Sequence, residues 1–239
     1  MNILNVSFDN VTLEEAVRRA VGLLDQPDGK GYVVTPNAEI VYMCRMEPKL
    51  QEALNNAFMV LPDGVGVIHA GKILKRPLKG KAAGIDFAAR LMDEMARRGD
   101  GLFLLGAKPG VAALAGERLQ QEYKGLRICG VHDGYFKDDV SVIREINESG
   151  AKALFVCLGA PKQELWMQAH MDQLQVRLVA GLGGSLDVFA GQVKRAPDIW
   201  VRLGLEWLYR LIREPKRIGR MSKLPLFLFA AVGARIRGE

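Results

Sequence analysis

Short continuous apolar runs recur along this chain, and most are followed by a stretch in which apolar residues return every three or four positions. Residues 32–34, 57–60, 102–105, 126–131, 153–158 and 177–179 read as strands. Helical periodicity follows over 38–46, 65–74, 111–123, 138–149 and 162–174, with a further amphipathic stretch over 84–98. At the N-terminus, residues 3–6 read as a strand. Thr12-Leu13-Glu14-Glu15 has the capping-box pattern that opens a helix to about residue 24. Apolar strands without polar alternation need cover on both faces. The pattern therefore predicts an α/β fold with a Rossmann-like, largely parallel sheet and helices on both sides.

The alternation stops after Ala190. Arg195-Ala196-Pro197 breaks the chain, and Trp200, Leu203, Trp207 and Leu211 then form one apolar stripe, which predicts a helix over 200–213. Pro215 starts a second element with Lys216, Arg217, Arg220 and Lys223, followed by the aromatic-rich apolar run 224–232 and by Arg235 and Arg237. The expected division is an α/β core over 1–194 and a basic, apolar helical appendage over 195–239. The apolar run is about half the ~20 residues a membrane span needs, and it contains a proline. Flanked by basic residues, it suits docking in the interface of an anionic bilayer. The alternative is a terminal helix packed on the core with a solvated basic face.

Charge favours docking. The chain carries +6 overall, but residues 194–239 hold eleven Lys and Arg against four Asp and Glu, whereas the first 193 residues hold 22 against 23. A basic patch so localised implies a local anionic partner. A nucleic-acid partner would call for aromatics interleaved with basic residues over a wide face, and here the aromatics sit in an apolar run. Cys44, Cys129 and Cys157 are odd in number, widely spaced and in apolar contexts, as expected of reduced core cysteines in a cytoplasmic protein. Met1 to Asn5 lacks the basic start of a signal peptide.

In a parallel sheet the chemistry gathers at the C-terminal strand edge. The loop Leu61-Pro62-Asp63-Gly64-Val65-Gly66 puts a carboxylate there between small residues. The same residues also read as ordinary turn chemistry with Asp63 as an N-cap. Other strand-edge loops offer Thr35-Pro36-Asn37, Gly106 to Gly110, His132 to Phe136 with Tyr135, Gly159 to Glu164 and Gly181 to Asp187. Helix N-termini at such an edge favour phosphates. Gly106, Tyr135 and Gly159 are accordingly candidate substrate-binding positions. The dinucleotide fingerprint fails because the third glycine is replaced by Leu186, and there is no Gly-Lys-Ser/Thr loop, Asp-x-Asp pair or Gly-x-Ser-x-Gly elbow. His69, His132 and His170 are scattered. No metal ligand set and no cofactor is expected. What remains is Asp63 as a base and the arginines of the tail, which together suit transfer of a group from a diphosphate to a hydroxyl.

Thr35-Pro36-Asn37-Ala38-Glu39, Leu61-Pro62-Asp63-Gly64, Gly159-Ala160-Pro161-Lys162-Gln163-Glu164, Gly183-Gly184-Ser185-Leu186-Asp187 and Arg195-Ala196-Pro197 resemble the motif series of the WecG/TagA/CpsF glycosyltransferases. Gly204 to Leu211 and Glu214-Pro215 continue the series, in order, over nearly the whole chain. The resemblance implies an inverting, metal-independent enzyme, peripheral on the inner face of the cell membrane. It would move N-acetylmannosamine or a related sugar from a uridine diphosphate donor to undecaprenyl-diphosphate-linked N-acetylglucosamine, in teichoic acid or surface polysaccharide synthesis. Asp63 would be the base. Thr35, Asn37 and Gln163 would line the sugar site with Asp187 nearby, and Arg210, Arg217 and Arg220 would close over the diphosphate. Where the family usually has Arg-x-x-Gly-x-Asp this chain has Lys81-Ala82-Ala83-Gly84-Ile85-Asp86, and Lys lacks the planar fork of Arg. UDP-glucose or a mannosaminuronate donor, or a noncatalytic binder of anionic lipid, are the competing readings. A homo-oligomer is left open.

Overall fold

The architecture comes from a computed structural model that describes residues 1–213, 215, 218–221 and 223–238, with side chains for all of these except 198, 210, 220 and 221. The chain opens with a hairpin of β1 (Asn2–Ile3) and β2 (Val6–Ser7), then α1 (Leu13–Asp25), β3 (Gly31–Val34), α2 (Ala38–Met43), α3 (Pro48–Asn55) and β4 (Met59–Val60). Next come α4 (Val65–Ile73), α5 (Gly84–Arg98), β5 (Gly101–Gly106), α6 (Val111–Glu122), β6 (Arg127–His132) and α7 (Asp139–Glu148). The last strands are β7 (Ala153–Cys157) and β8 (Leu178–Gly181), separated by α8 (Lys162–His170) and followed by α9 (Ser185–Phe189). The chain finishes with α10 (Asp198–Arg202), α11 (Glu206–Arg213), α12 (Ile218–Met221) and α13 (Lys223–Arg237).

Six strands form one parallel sheet in the order β4-β3-β8-β7-β5-β6. Apart from β6, whose register slips at Cys129, its strands alternate between two cores. Tyr32, Val34, Phe103, Leu105, Leu154, Val156 and Val179 face one, shared with α2, α3, α7 and α8. Val33, Leu102, Leu104, Ala153, Phe155, Leu178 and Ala180 face the other, shared with α1, α5 and α6. Helices on both faces are the cover that such runs require. At the N-terminal edge of the sheet, Asp100 is buried and accepts hydrogen bonds from Arg98 Nε at 2.7 Å and from Lys152 Nζ. Burial pushes its carboxyl up, but those two cations outweigh burial and hold it below the ordinary value.

Three elements differ from the sequence pattern. Residues 3–6 do not join the sheet: Leu4 and Asn5 both have positive φ (50° and 68°) and fold the segment into a two-residue hairpin turn. The helix expected over 38–46 ends at Met43, and a separate α3 starts at Pro48, a first-turn proline whose missing N–H costs nothing there. The stripe from Trp200 to Leu211 is not one helix, because Gly204 (φ 71°) separates α10 from α11.

The apolar run 224–232 lies within α13, which packs on α2 and α4. Phe227, Ala231 and Ala234 are buried in the first core. The opposite face of α13 leaves Phe229 72% and Ile236 80% exposed. Among the described residues no helix is long and apolar enough to cross a membrane.

Candidate active site

The loops that leave β3 and β4 are tied together at the C-terminal edge of the sheet. Asp63 N–H donates to the Pro36 carbonyl at 3.3 Å, and Ala82 N–H donates to the Pro62 carbonyl at 2.9 Å. These bonds bring the segment before α5 against both loops. Asp63 is half-buried and accepts from Gly84 N–H at 3.4 Å, so its carboxylate sits at the first turn of α5. It is not the N-cap of α4: Gly64 takes that place, with φ 87° and no capping side chain. Asn37 does cap α2, accepting from Ile40 N–H at 3.1 Å, and its Cβ lies 3.9 Å from where a Cβ on Gly64 would stand.

Thr35 links this corner to the middle of the sheet. Its hydroxyl donates to the Gly181 carbonyl at 3.1 Å, and a Cβ on Gly84 would lie 2.8 Å from Thr35 Oγ1. Only glycine lets α5 start so close to that side chain. From Gly181 the contacts pass to Gln163 on α8. Gly183 N–H donates to Gln163 Oε1 at 2.9 Å, and Gln163 Nε2 donates to Glu164 Oε1 at 2.8 Å. Gln163 and Glu164 are both buried, and burial raises the Glu164 carboxyl above its ordinary value despite the hydrogen bond from Gln163.

The remaining loops continue along the edge. Gly159 accepts from Gln163 N–H. Gly106 lies against Cys157, whose carbonyl accepts from Ala107 N–H, and Gly134 N–H donates to the Ala107 carbonyl, placing exposed Tyr135 beside this loop. Asp187 is close enough to Cys157 to act on it electrostatically. Burial, with that charge as a lesser cause, pushes the Cys157 thiol up to about 12.

The C-terminal segment borders the Asp63 corner. Arg195 pairs with Asp86 in the first turn of α5 at 2.7 Å, and Lys81 pairs with Glu206 of α11 at 3.0 Å. Gly204 and Leu224 approach Val65 and Gly66, the first two residues of α4. Arg217 lies outside the described residues, as do the side chains of Arg210 and Arg220.

A half-buried carboxylate among a threonine, two amides and a lysine at a sheet edge can take a proton from a bound hydroxyl. The family model for the WecG/TagA/CpsF glycosyl transferases matches residues 1–239. The chain belongs to this family. It is 37% identical over 209 residues to an N-acetylglucosaminyldiphosphoundecaprenol N-acetyl-beta-D-mannosaminyltransferase of Bacillus spizizenii, a match covering 87% of this chain and 81% of that one. It is 36% identical over 241 residues to a protein of the same name from Staphylococcus aureus, covering 98% and 93%.

Of the positions that the WecG/TagA/CpsF resemblance singles out, the fold joins Thr35, Asp63 and Gln163 through a continuous set of contacts, with Asn37 beside them. Lys81 reaches the same rim but is engaged by Glu206. The sequence reading quoted Glu164, Asp86, Arg195 and Glu206 within its motifs but gave none of them a role. A Gln-Glu pair at a helix start carries no sign of burial, and the two ion pairs join residues 109 and 125 positions apart.

Proposed function

We propose that this chain transfers N-acetylmannosamine from UDP-N-acetylmannosamine to undecaprenyl-diphosphate-linked N-acetylglucosamine, with inversion, using Asp63 as the base. The observation that carries the reading is the Asp63 corner: a half-buried carboxylate at the start of α5, whose Gly84 packs on Thr35, with Asn37 beside Gly64 and a basic segment along its border. The name of the relatives supplies the acceptor and the β-linked product. A sugar leaving an α-linked nucleotide in one displacement arrives in that β configuration. Asp63 takes the proton from the acceptor hydroxyl as it attacks the anomeric carbon, and the bond to the UDP oxygen breaks. Arg210, Arg217 and Arg220 neutralise the departing diphosphate, a task that guanidinium groups perform through paired hydrogen bonds. A metal is not required in this scheme, because the guanidinium groups supply the positive charge at the diphosphate and the sequence has no Asp-x-Asp pair.

The acceptor's lipid tail gives the enzyme a reason to sit on a bilayer. Ile199, Leu203, Ile212, Phe229 and Ile236 stand exposed on the C-terminal helices, in the segment that carries the excess positive charge. Apolar side chains beside basic residues favour an anionic interface. The segment that meets lipid is thus the one that flanks the site.

The test is a donor screen with a short-chain lipid-diphosphate N-acetylglucosamine, read by mass spectrometry. The reading predicts a product heavier by one N-acetylhexosamine with UDP-N-acetylmannosamine, without added metal. Preferred turnover of UDP-glucose or UDP-mannosaminuronate would overturn the donor assignment, and no transfer from any of these donors would overturn the enzyme reading.

A further inference from the structure

Two acids are buried among the described residues, and they are held differently. Asp100 has two cations. Glu164, 1% exposed, has no cation: the neutral amide of Gln163 donates to Oε1, its own backbone N–H acts on the carboxyl, and Oε2 is buried without any hydrogen-bond partner. No Lys, Arg or His among the described residues pairs with it. A titratable group close enough to interact with it is Cys44, at the C-terminal end of α2, itself pushed up to about 12 by burial. An unpartnered buried carboxyl oxygen is destabilising, the more so if charged, so its presence beside the site calls for a reason.

The hydrogen-bond chain assigns every atom. Gly183 N–H needs an acceptor, which fixes Gln163 Oε1 on that side and turns Nε2 toward Glu164. Glu164 Oε1 must then accept, so a proton on this carboxyl resides on Oε2. A Cβ on Gly181 would lie 3.1 Å from Gln163 Nε2, so the amide is pressed against the strand end that also takes the Thr35 hydroxyl.

We propose that Glu164 is a positioning residue for sugar transfer: as a neutral carboxyl it locks the Gln163 amide and, through it, the Gly181–Gly183 strand end that holds Thr35 and leads to Asp187. The proposal deepens the transferase reading and rests on it for its kinetic arm. A neutral acid rather than a carboxylate does this work because an ionised group there would lack any compensating cation.

Two substitutions separate the possibilities. Glu164→Gln keeps the acceptor oxygen and the shape without a titrating proton. Glu164→Leu fills the space and leaves Gln163 Nε2 without a partner. The donor KM and kcat of Glu164→Gln are expected within about threefold of wild type, whereas Glu164→Leu raises donor KM by about tenfold or more. Adding Glu164→Leu to Gln163→Ala should cost nothing further, because the two act as one unit. Independently of activity, the Gly183 amide should exchange slowly with solvent in wild type and Glu164→Gln, and at least about tenfold faster in Glu164→Leu. If Glu164→Gln is as damaged as Glu164→Leu in both readouts, the charge matters and the proposal is wrong. It is equally wrong if Glu164→Leu keeps donor KM and slow Gly183 exchange. Should Glu164→Leu not fold, the rescue by Glu164→Gln decides alone. Should wild type transfer no sugar, the proposed function falls, and the exchange measurement still decides whether Glu164 holds the Gly183 turn.

Discussion

Removing the ring of Phe227 tests whether the C-terminal helix belongs to the fold or hangs from it. Phe227 is fully buried, on the face of α13 that covers α2 and α4. Phe→Ala in a packed core costs about 3–5 kcal/mol. A chain of this length unfolds with an entropy near 0.5 kcal/mol/K, so the melting temperature should fall by about 6–10 °C. Phe229, two residues on and 72% exposed, supplies the control: Phe229→Ala should stay within about 0.5 kcal/mol. The consequence reaches the site, because α2 is capped by Asn37 and α4 starts two residues after Asp63. Phe227→Ala should therefore also raise donor KM, while Phe229→Ala leaves it alone. Scanning calorimetry and donor titration read both. A drop below about 2 °C for Phe227→Ala would refute the packing argument and return α13 to a detachable appendage. The same reasoning bars a simple truncation after Ala196 as a membrane test, since it would strip Phe227, Ala231 and Ala234 from the core.

Surface substitutions are the better probe of docking: Phe229→Ser with Ile236→Ser should lower co-sedimentation with anionic vesicles at least tenfold, from about 1.5–3 kcal/mol per side chain, and unchanged sedimentation would count against the docking face. Asp100 has a folded value held below the unfolded one, so its contribution is present above about pH 4 and fades as pH falls through the folded value; Asp100→Asn should cost about 1–3 kcal/mol at pH 7 and less in acid, read from urea midpoints against pH. Glu164 behaves in the opposite sense. Its folded value is raised, so the neutral form is favoured and stability declines as pH rises above the unfolded value near 4.3. Glu164→Gln should accordingly raise the melting temperature at pH 7, with the gain vanishing toward pH 4, and a stability loss at pH 7 would contradict a neutral carboxyl.

The sheet was legible because its strands are continuous apolar runs, and the caps at Thr12 and Asn37 because their partners lie three residues away. What escaped depends on distant partners. Asp63 reads as the cap of the helix that follows it, yet its donor is Gly84, 21 positions on, brought there by the Pro62–Ala82 bond. The stripe from Trp200 to Leu211 has helical spacing, but spacing alone does not register the left-handed backbone at Gly204. Leu4 in a left-handed turn defies its own propensity, and nothing local announces it. That Asp63 lies among glycines at the C-terminal sheet edge was readable from the strand and turn pattern, and the fold puts it there beside the start of α5. The ties of this corner to Glu206 and Arg195 required the fold.

Asp63→Asn tests the central claim most directly, because the amide keeps the shape and loses the basicity. UDP binding by calorimetry and product formation with UDP-N-acetylmannosamine should be measured on the same preparation. The account predicts UDP affinity within about threefold of wild type and a kcat lower by at least about a hundredfold, within the range that a positioned base supplies. Turnover near the wild-type rate by that variant would contradict it.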